Sequence, residues 1–207
     1  MAGTPQRLID GAIETIRRRG IAGVSARTVA ACAGVNQGLI FYHFGSMAEL
    51  LKQACVATTG ARVALFEDRL AAVGSLRELL AVGRELHGEE RALGNVDVVG
   101  QLLAGAQADP ELAAVTAAAL ALWIDPIERT LDRLVATSPV RAVLDVPGLA
   151  RAICAAFVGL SLYEGADPDG AAAALDALDR MAVLVEVVDD LGPVARRALR
   201  GRLRGAG

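Results

Sequence analysis

The chain has 207 residues, 54% of them hydrophobic, with a formal net charge of −3, enough apolar material for one compact unit or two small domains sharing a core. No uncharged apolar run reaches the roughly 18 residues a bilayer span needs; the longest, Leu112 to Ile124, is stopped by Asp125 and Pro126, so no membrane helix is expected. The amino terminus has no short apolar core with a small-residue cleavage site, and Cys32, Cys55 and Cys154 are odd in number and far apart, which points to a cytoplasmic protein with reduced, buried thiols.

From the amino end, Thr4 and Pro5 suit the cap and first position of a helix that buries Leu8, Ile9, Ala12, Ile13 and Ile16 and ends at Gly20. Ser25 caps a second, two-turn helix burying Val29, Ala30 and Ala33 and ending at Gly34. Asn36 caps a third short helix that ends at Gly45, and Ser46 with Glu49 predicts a reciprocal capping box opening the fourth. At about 100° per residue, Ile40, Phe41 and Phe44 share a face suited to the core, while Gly38, Leu39, Tyr42 and His43 face away and Gln37 stands at the tip. Two short helices joined by a three-residue glycine turn form a helix-turn-helix, whose second helix enters the DNA major groove. Charge agrees with that partner. Residues 1–52 carry Arg7, Arg17, Arg18, Arg19, Arg27 and Lys52 against Asp10, Glu14 and Glu49, a net of +3, which leaves −6 for the remainder despite arginines at 196, 197, 200, 202 and 204.

The stretch Val24 to Leu50, VSARTVAACAGVNQGLIFYHFGSMAEL, resembles the DNA-binding signature of the TetR (tetracycline repressor) family of bacterial transcriptional regulators. Ser25, Val29-Ala30, Ala33-Gly34-Val35, Phe41-Tyr42-His43-Phe44, Ser46 and Glu49-Leu50 carry the likeness, which is dense over about 45 residues at the amino end. The resemblance implies base-edge contacts from Gln37, Gly38, Leu39 and Tyr42, and phosphate contacts from Ser25, Arg27, Thr28, Tyr42 and His43. Two positions depart from the family pattern. Phe41 has no hydroxyl where tyrosine is frequent, and Met47 stands where lysine is common, which shifts the electrostatic share of affinity to Arg17, Arg18, Arg19, Arg27 and Lys52.

Downstream the helical period continues, giving an all-α chain: a helix over about 47–70, then helices near 76–92, 96–107, 110–136, 147–164 and 170–191, punctuated by Asp109-Pro110, Pro139, Pro147 and Asp167-Pro168. The expected division is a helix-turn-helix DNA-binding domain at 1–46 and a larger helical domain at 47–207 for ligand binding and dimerisation. Small residues recur in the last two helices, Ala152, Ala155, Ala156, Gly159 and Ser161 in one and Ala171 to Ala174, Ala177 and Ala182 in the other. They suit either close core packing or a four-helix subunit interface. The resemblance implies the latter, a homodimer whose two-fold axis would match a palindromic operator in double-stranded DNA.

Among the apolar middle helices sit Asn95, Gln101, Gln107, Thr116, Trp123, Phe157 and Tyr163, sparse polar and aromatic groups of the kind that orient a small molecule in an apolar site, or that a core satisfies internally. The resemblance implies an effector cavity beneath the long helix that begins near Ser46. The expected effector is small and largely apolar or aromatic, with no metal and no cofactor. No phosphate-binding glycine loop, His-Glu-x-x-His, Cys-x-x-Cys or Gly-x-Ser-x-Gly occurs, and HGEE at 87–90 reads as a solvated helix face. The chain is therefore read as a ligand-responsive transcriptional repressor rather than an enzyme, with a helical protein-interaction adaptor as the alternative.

Overall fold

A computed structural model of the protein describes residues 3–138, 141, 144–189 and 192; Pro139 and the tail arginines at 196–204 lie outside the described residues. The elements are α1 Thr4–Arg19, a 3-10 turn Ile21–Gly23, α2 Ala26–Ala33, α3 Gly38–Phe44, α4 Met47–Ala72, α5 Leu76–Ala92, α6 Asn95–Ala106, α7 Pro110–Val135, α8 Val146–Glu164 and α9 Pro168–Asp189. No strand occurs among the described residues, as the all-α reading requires. By contacts the chain divides into two units. The first takes the residues up to Leu65 together with Glu90–Trp123, and the second Phe66–Glu89 together with the residues from Ile124 on.

In the first unit Leu8, Ala12, Ile13 and Ile16 repeat at helical spacing on α1 and are buried with Val29, Ala30 and Ala33 of α2, Ile40 and Phe44 of α3 and Leu50, Leu51 and Ala54 of α4. Each large side chain so buried contributes about 1.5–3 kcal/mol, which outweighs the weak propensity of two helices only two turns long. Gly11 sets how closely α1 and α2 approach: a Cβ there would meet Ala33 Cβ at 3.0 Å and Val29 O at 3.2 Å. Val98 and Leu102 of α6 and Leu112, Val115 and Ala119 of α7 complete the same cluster.

Local chemistry fixes the helix ends, with some partners other than those expected. Ser25 Oγ accepts from Thr28 N at 3.2 Å, and Thr28 Oγ1 accepts from Ser25 N at 2.9 Å, so threonine closes the box on α2. Gly34 ends α2 at φ 65°, a left-handed conformation that costs other residues. Asn36 Oδ1 accepts from Gly38 N at 2.8 Å, although the residue flanking α3 is Gln37. Ser46 Oγ accepts from Glu49 N at 3.1 Å, but the Glu49 carboxylate accepts from Gln53 Nε2 at 2.9 Å instead of closing a box.

The second unit joins α5 to α8 through a half-buried histidine. Phe157 presses on Gly83, and the imidazole of His87 stands 3.0 Å from Ser161 Oγ and 3.3 Å from Glu164 Oε2. The solvated reading of residues 87–90 is thereby corrected: helical spacing turns His87 inward against α8, and only Glu89 of that stretch's carboxylates is exposed. Arg133 donates to Val73 O at 2.6 Å and Leu70 O at 3.1 Å, closing the last turn of α4. Asp167 accepts from Gly170 N at 2.9 Å and from the Tyr163 hydroxyl at 3.0 Å; these two bonds, in that order, hold its carboxyl below the usual carboxylate range.

One face of α8, carrying Ala152, Ala155, Gly159 and Leu162, is exposed, as are Ala173, Ala177, Val183 and Val187 on α9. By length and mean hydropathy α7 and α8 are apolar enough to cross a membrane. Yet α7 contains Pro126 and Asp125, and its Leu112, Val115 and Ala119 are core residues. Of the three cysteines, Cys55 and Cys154 are buried, whereas Cys32 is exposed, contrary to expectation. The inward stripe of α2 is filled by Val29, Ala30 and Ala33, which turns position 32 outward.

Candidate nucleic-acid interface

The helix-turn-helix is held from behind by an arginine that the sequence showed only as charge. Arg7 of α1 reaches across 26 positions to donate to Ala33 O at 2.7 Å and to Gly34 O at 2.8 Å. Those carbonyls belong to the open C-terminal end of α2, where helix geometry leaves acceptors unpaired and a cation is favoured. Arg7 thus fixes the turn that aims α3.

On α3 the short helix buries one narrow stripe. Ile40 and Phe44, four residues apart, point inward, while Phe41 lies about 100° round from Ile40 and is 52% exposed. The expected inward placement of Phe41 is therefore corrected: a seven-residue helix packed on one side has no second interior face. Leu39, expected outside, is half-buried against the core cluster. Tyr42 is 80% exposed, and the exposed His43 ring meets it edge to face at 4.9 Å. Gln37 and Gly38 are exposed at the helix tip. Gln37, Phe41, Tyr42 and His43 therefore stand clear of the protein, able to offer an amide, an apolar ring, a hydroxyl and an imidazole.

Around them, Arg27 and Lys52 are exposed with no ion-pair partner among the described residues. Ser25 and Thr28, both candidates for phosphate contact, already use their hydroxyls in the cap of α2; Thr28 Oγ1 also donates toward Gly23 O at 2.9 Å. The arginine run splits. Arg18 pairs with Glu14 at 2.5 Å, and Arg17 donates to Asn95 Oδ1 at 2.5 Å, so neither guanidinium is as available to a polyanion as composition implied.

A small pocket of about 50 Å³, partly open to solvent, lies within the same unit. Its apolar wall includes Ile13, Cys55, Val98, Leu102 and Trp123, and Thr58, Thr59, Arg62, Glu90 and Asn95 form its polar side. Burial pushes the Cys55 thiol up to about 11, so it remains protonated at neutral pH. Glu90 is 8% exposed; its Oε1 accepts from Arg62 Nε and its Oε2 from Asn95 Nδ2, both at 2.6 Å.

Of the seven side chains named from sequence for an effector, Asn95 and Trp123 line this cavity. Gln101 turns to Ile21 N at 3.3 Å, Gln107 is exposed at the end of α6, and Thr116 donates to Leu112 O at 2.8 Å. Phe157 packs on Gly83, and Tyr163 is 49% exposed. Arg62 and Glu90 were missed, although a carboxylate and an arginine facing inward on amphipathic helices are the available signal.

The sequence profile of a family described as bacterial regulatory proteins, tetR family, matches residues 8–54. No curated protein matches the sequence. Among solved structures, a protein from Rhodococcus sp. described as a TetR-family transcriptional regulator shares 26% identity over 88% of this chain and 100% of its own, with a TM-score of 0.70. A transcriptional regulator from Streptomyces coelicolor A3(2) shares 27% identity over 86% of this chain and 98% of its own, at a TM-score of 0.65. The multidrug binding protein EbrR, solved in complex with proflavin, shares 30% identity over 86% of this chain and 99% of its own, at a TM-score of 0.57.

Proposed function

The chain belongs to the tetR family of bacterial regulatory proteins, and from that premise we propose that it is a repressor that binds a palindromic operator as a homodimer and leaves it when a small effector binds. As a member of that family it is a transcriptional regulator. In this reading residues 1–46 form the DNA-binding domain, and 47–207 form the ligand-binding and dimerisation domain.

The observation that carries the proposal is the exposed row on α3, Gln37, Phe41, Tyr42 and His43, on a helix whose other side is locked into the core and whose entry turn is fixed by Arg7. A helix anchored on one side and polar-aromatic on the other can sit in a major groove, with Tyr42 and Gln37 at base edges and Arg27, Lys52 and His43 toward phosphates. Homodimerisation is supported by the exposed small and apolar residues of α8 and α9, since a two-fold interface there would cover them. The effector is assigned to the cavity beside Trp123. EbrR holds proflavin, a flat aromatic compound, and a mostly apolar wall with one polar side matches the chemistry of such a ligand, which the pocket of about 50 Å³ must widen to admit. Release requires the effector to favour a DNA-incompetent state, by on the order of 5.5 kcal/mol to move a population from about 1:99 to 99:1.

Selection from a pool of random duplexes by the full chain tests the reading. Enrichment of one inverted repeat is expected. Recovery of no common sequence, with the chain folded, would overturn it in favour of a protein-interaction role.

A further inference from the structure

We propose that a polar chain, Arg62–Glu90–Asn95–Arg17, links the cavity wall to the DNA-binding helices, and that Arg17 acts as a positioning residue through Asn95 rather than as a DNA contact. The inference rests on the DNA-binding reading above. All four residues lie in the first unit, and three of them line the cavity.

The geometry fixes the sense of each bond. Glu90 is a buried carboxylate with one donor on each oxygen, Arg62 Nε at 2.6 Å and Asn95 Nδ2 at 2.6 Å. Asn95 then turns its Oδ1 to Arg17, whose guanidinium donates at 2.5 Å. Only one orientation of the amide serves both neighbours: flipped, its oxygen would face the carboxylate and its NH₂ the guanidinium. A buried charge that loses one partner is left uncompensated, so breaking either bond to Glu90 is costly, while Arg17 holds the exposed end of the chain, 3.9 Å from Glu14 Oε2.

The far end of the chain matters for aim. Arg17 sits in the last turn of α1, the helix whose Arg7 fixes the turn into α3 and whose Gly11 is in tight contact with α2. A second bond from α6, Gln101 Oε1 to Ile21 N at 3.3 Å, holds the same end of α1. A molecule filling the cavity lies against Glu90 and Asn95, and any displacement of Asn95 displaces the partner of Arg17. The cavity and the recognition helix thus share a hydrogen-bonded path, with α1 as the lever.

The test is a set of variants of the full chain titrated with the duplex recovered by selection, at several salt concentrations. Asn95→Leu, Glu90→Gln and Arg17→Met should each lower affinity between about twofold and thirtyfold. Arg17→Met combined with either of the others should lose no more than the worse single change, and all salt slopes should match the wild type. Arg17→Lys, which keeps a donor for Asn95, should restore binding in the wild-type background but not beside Asn95→Leu. Unchanged affinity in Asn95→Leu would overturn the link, as would additive losses or a salt slope reduced by about one in Arg17→Met, the mark of a lost phosphate contact. Should Asn95→Leu fail to fold, the salt slope of Arg17→Met and its combination with Glu90→Gln decide alone. A wild-type chain that binds no duplex would remove the DNA-binding reading and this inference with it, whereas binding that ignores position 95 removes only the inference.

Discussion

Around Gly11 the first unit closes so tightly that one added carbon would meet Ala33 Cβ at 3.0 Å and the Val29 carbonyl at 3.2 Å, whereas one added at Gly159, in the middle of α8, would meet no neighbouring element within 4 Å among the described residues. Both glycines sit inside helices, where glycine costs about 1 kcal/mol relative to alanine. At position 11 that cost is offset by the approach of α1 to α2. At position 159 no contact among the described residues offsets it, and its neighbours Ala152, Ala155 and Leu162 are exposed too. The same contrast holds for large hydrophobic side chains. In α1 to α3 every one is buried or half-buried except Phe41 and Tyr42, both in the row proposed to meet DNA, while α8 and α9 leave Leu162, Tyr163, Val183 and Val187 in the open. The proposed homodimer is the reading that gives the exposed apolar residues of α8 and α9 a cover.

The largest expected effect breaks the comparison at α8. A Cβ at position 159 meets no neighbouring element among the described residues, so in Gly159→Glu the fold should survive while the proposed dimer does not, and operator affinity should fall by roughly 10³-fold toward the non-specific level. Sedimentation that still shows a dimer would place the interface elsewhere. A smaller contrast comes from enlarging each glycine in turn. Gly11→Val should destabilise the protein by about 1–3 kcal/mol through overpacking, read as a lower midpoint in thermal unfolding. Gly159→Ala should not destabilise it, and equal losses at the two sites would remove the distinction.

Exposure on α3 is tested by Tyr42→Ala, expected to weaken operator binding by about 1–3 kcal/mol with oligomeric state and circular dichroism unchanged. Wild-type affinity in that variant would strike Tyr42 from the contacts. The smallest effect belongs to the α8–α9 connection. The Asp167 carboxyl is held low by Gly170 N–H and the Tyr163 hydroxyl, so its stabilisation is complete above the ordinary carboxylate pKa and is lost as pH falls through the lower folded value. Asp167→Asn should therefore flatten the acid limb of the stability profile, and a profile identical to wild type would show that the connection adds nothing.

The two regions also differed in how far sequence alone could be read. The first three helices were legible because their signals are local: Ser25 caps within three residues, Gly20, Gly34 and Gly45 end helices, and the stripe of Leu8, Ala12 and Ile16 has the helical period. Phe41 was misjudged because period describes a full cylinder, whereas α3 is packed along a narrow strip. The cavity was not legible. Its polar side joins Thr58, Arg62, Glu90 and Asn95 from three helices, and nothing in the spacing of those residues says that they meet. Gln101 and Thr116 looked available for a ligand, yet both make hydrogen bonds to backbone, which is where most polar side chains in a helical core go.

The central claim, that two copies of α3 read the same half-site in successive major grooves, is tested most directly by a chemical-protection footprint of the full chain on its selected duplex. The account predicts two protected segments related by a two-fold axis, their centres about one helical turn or a multiple of it apart, roughly 34 Å per turn. Both should fade together in Tyr42→Ala. A single protected segment, or two that persist in the variant, would contradict it.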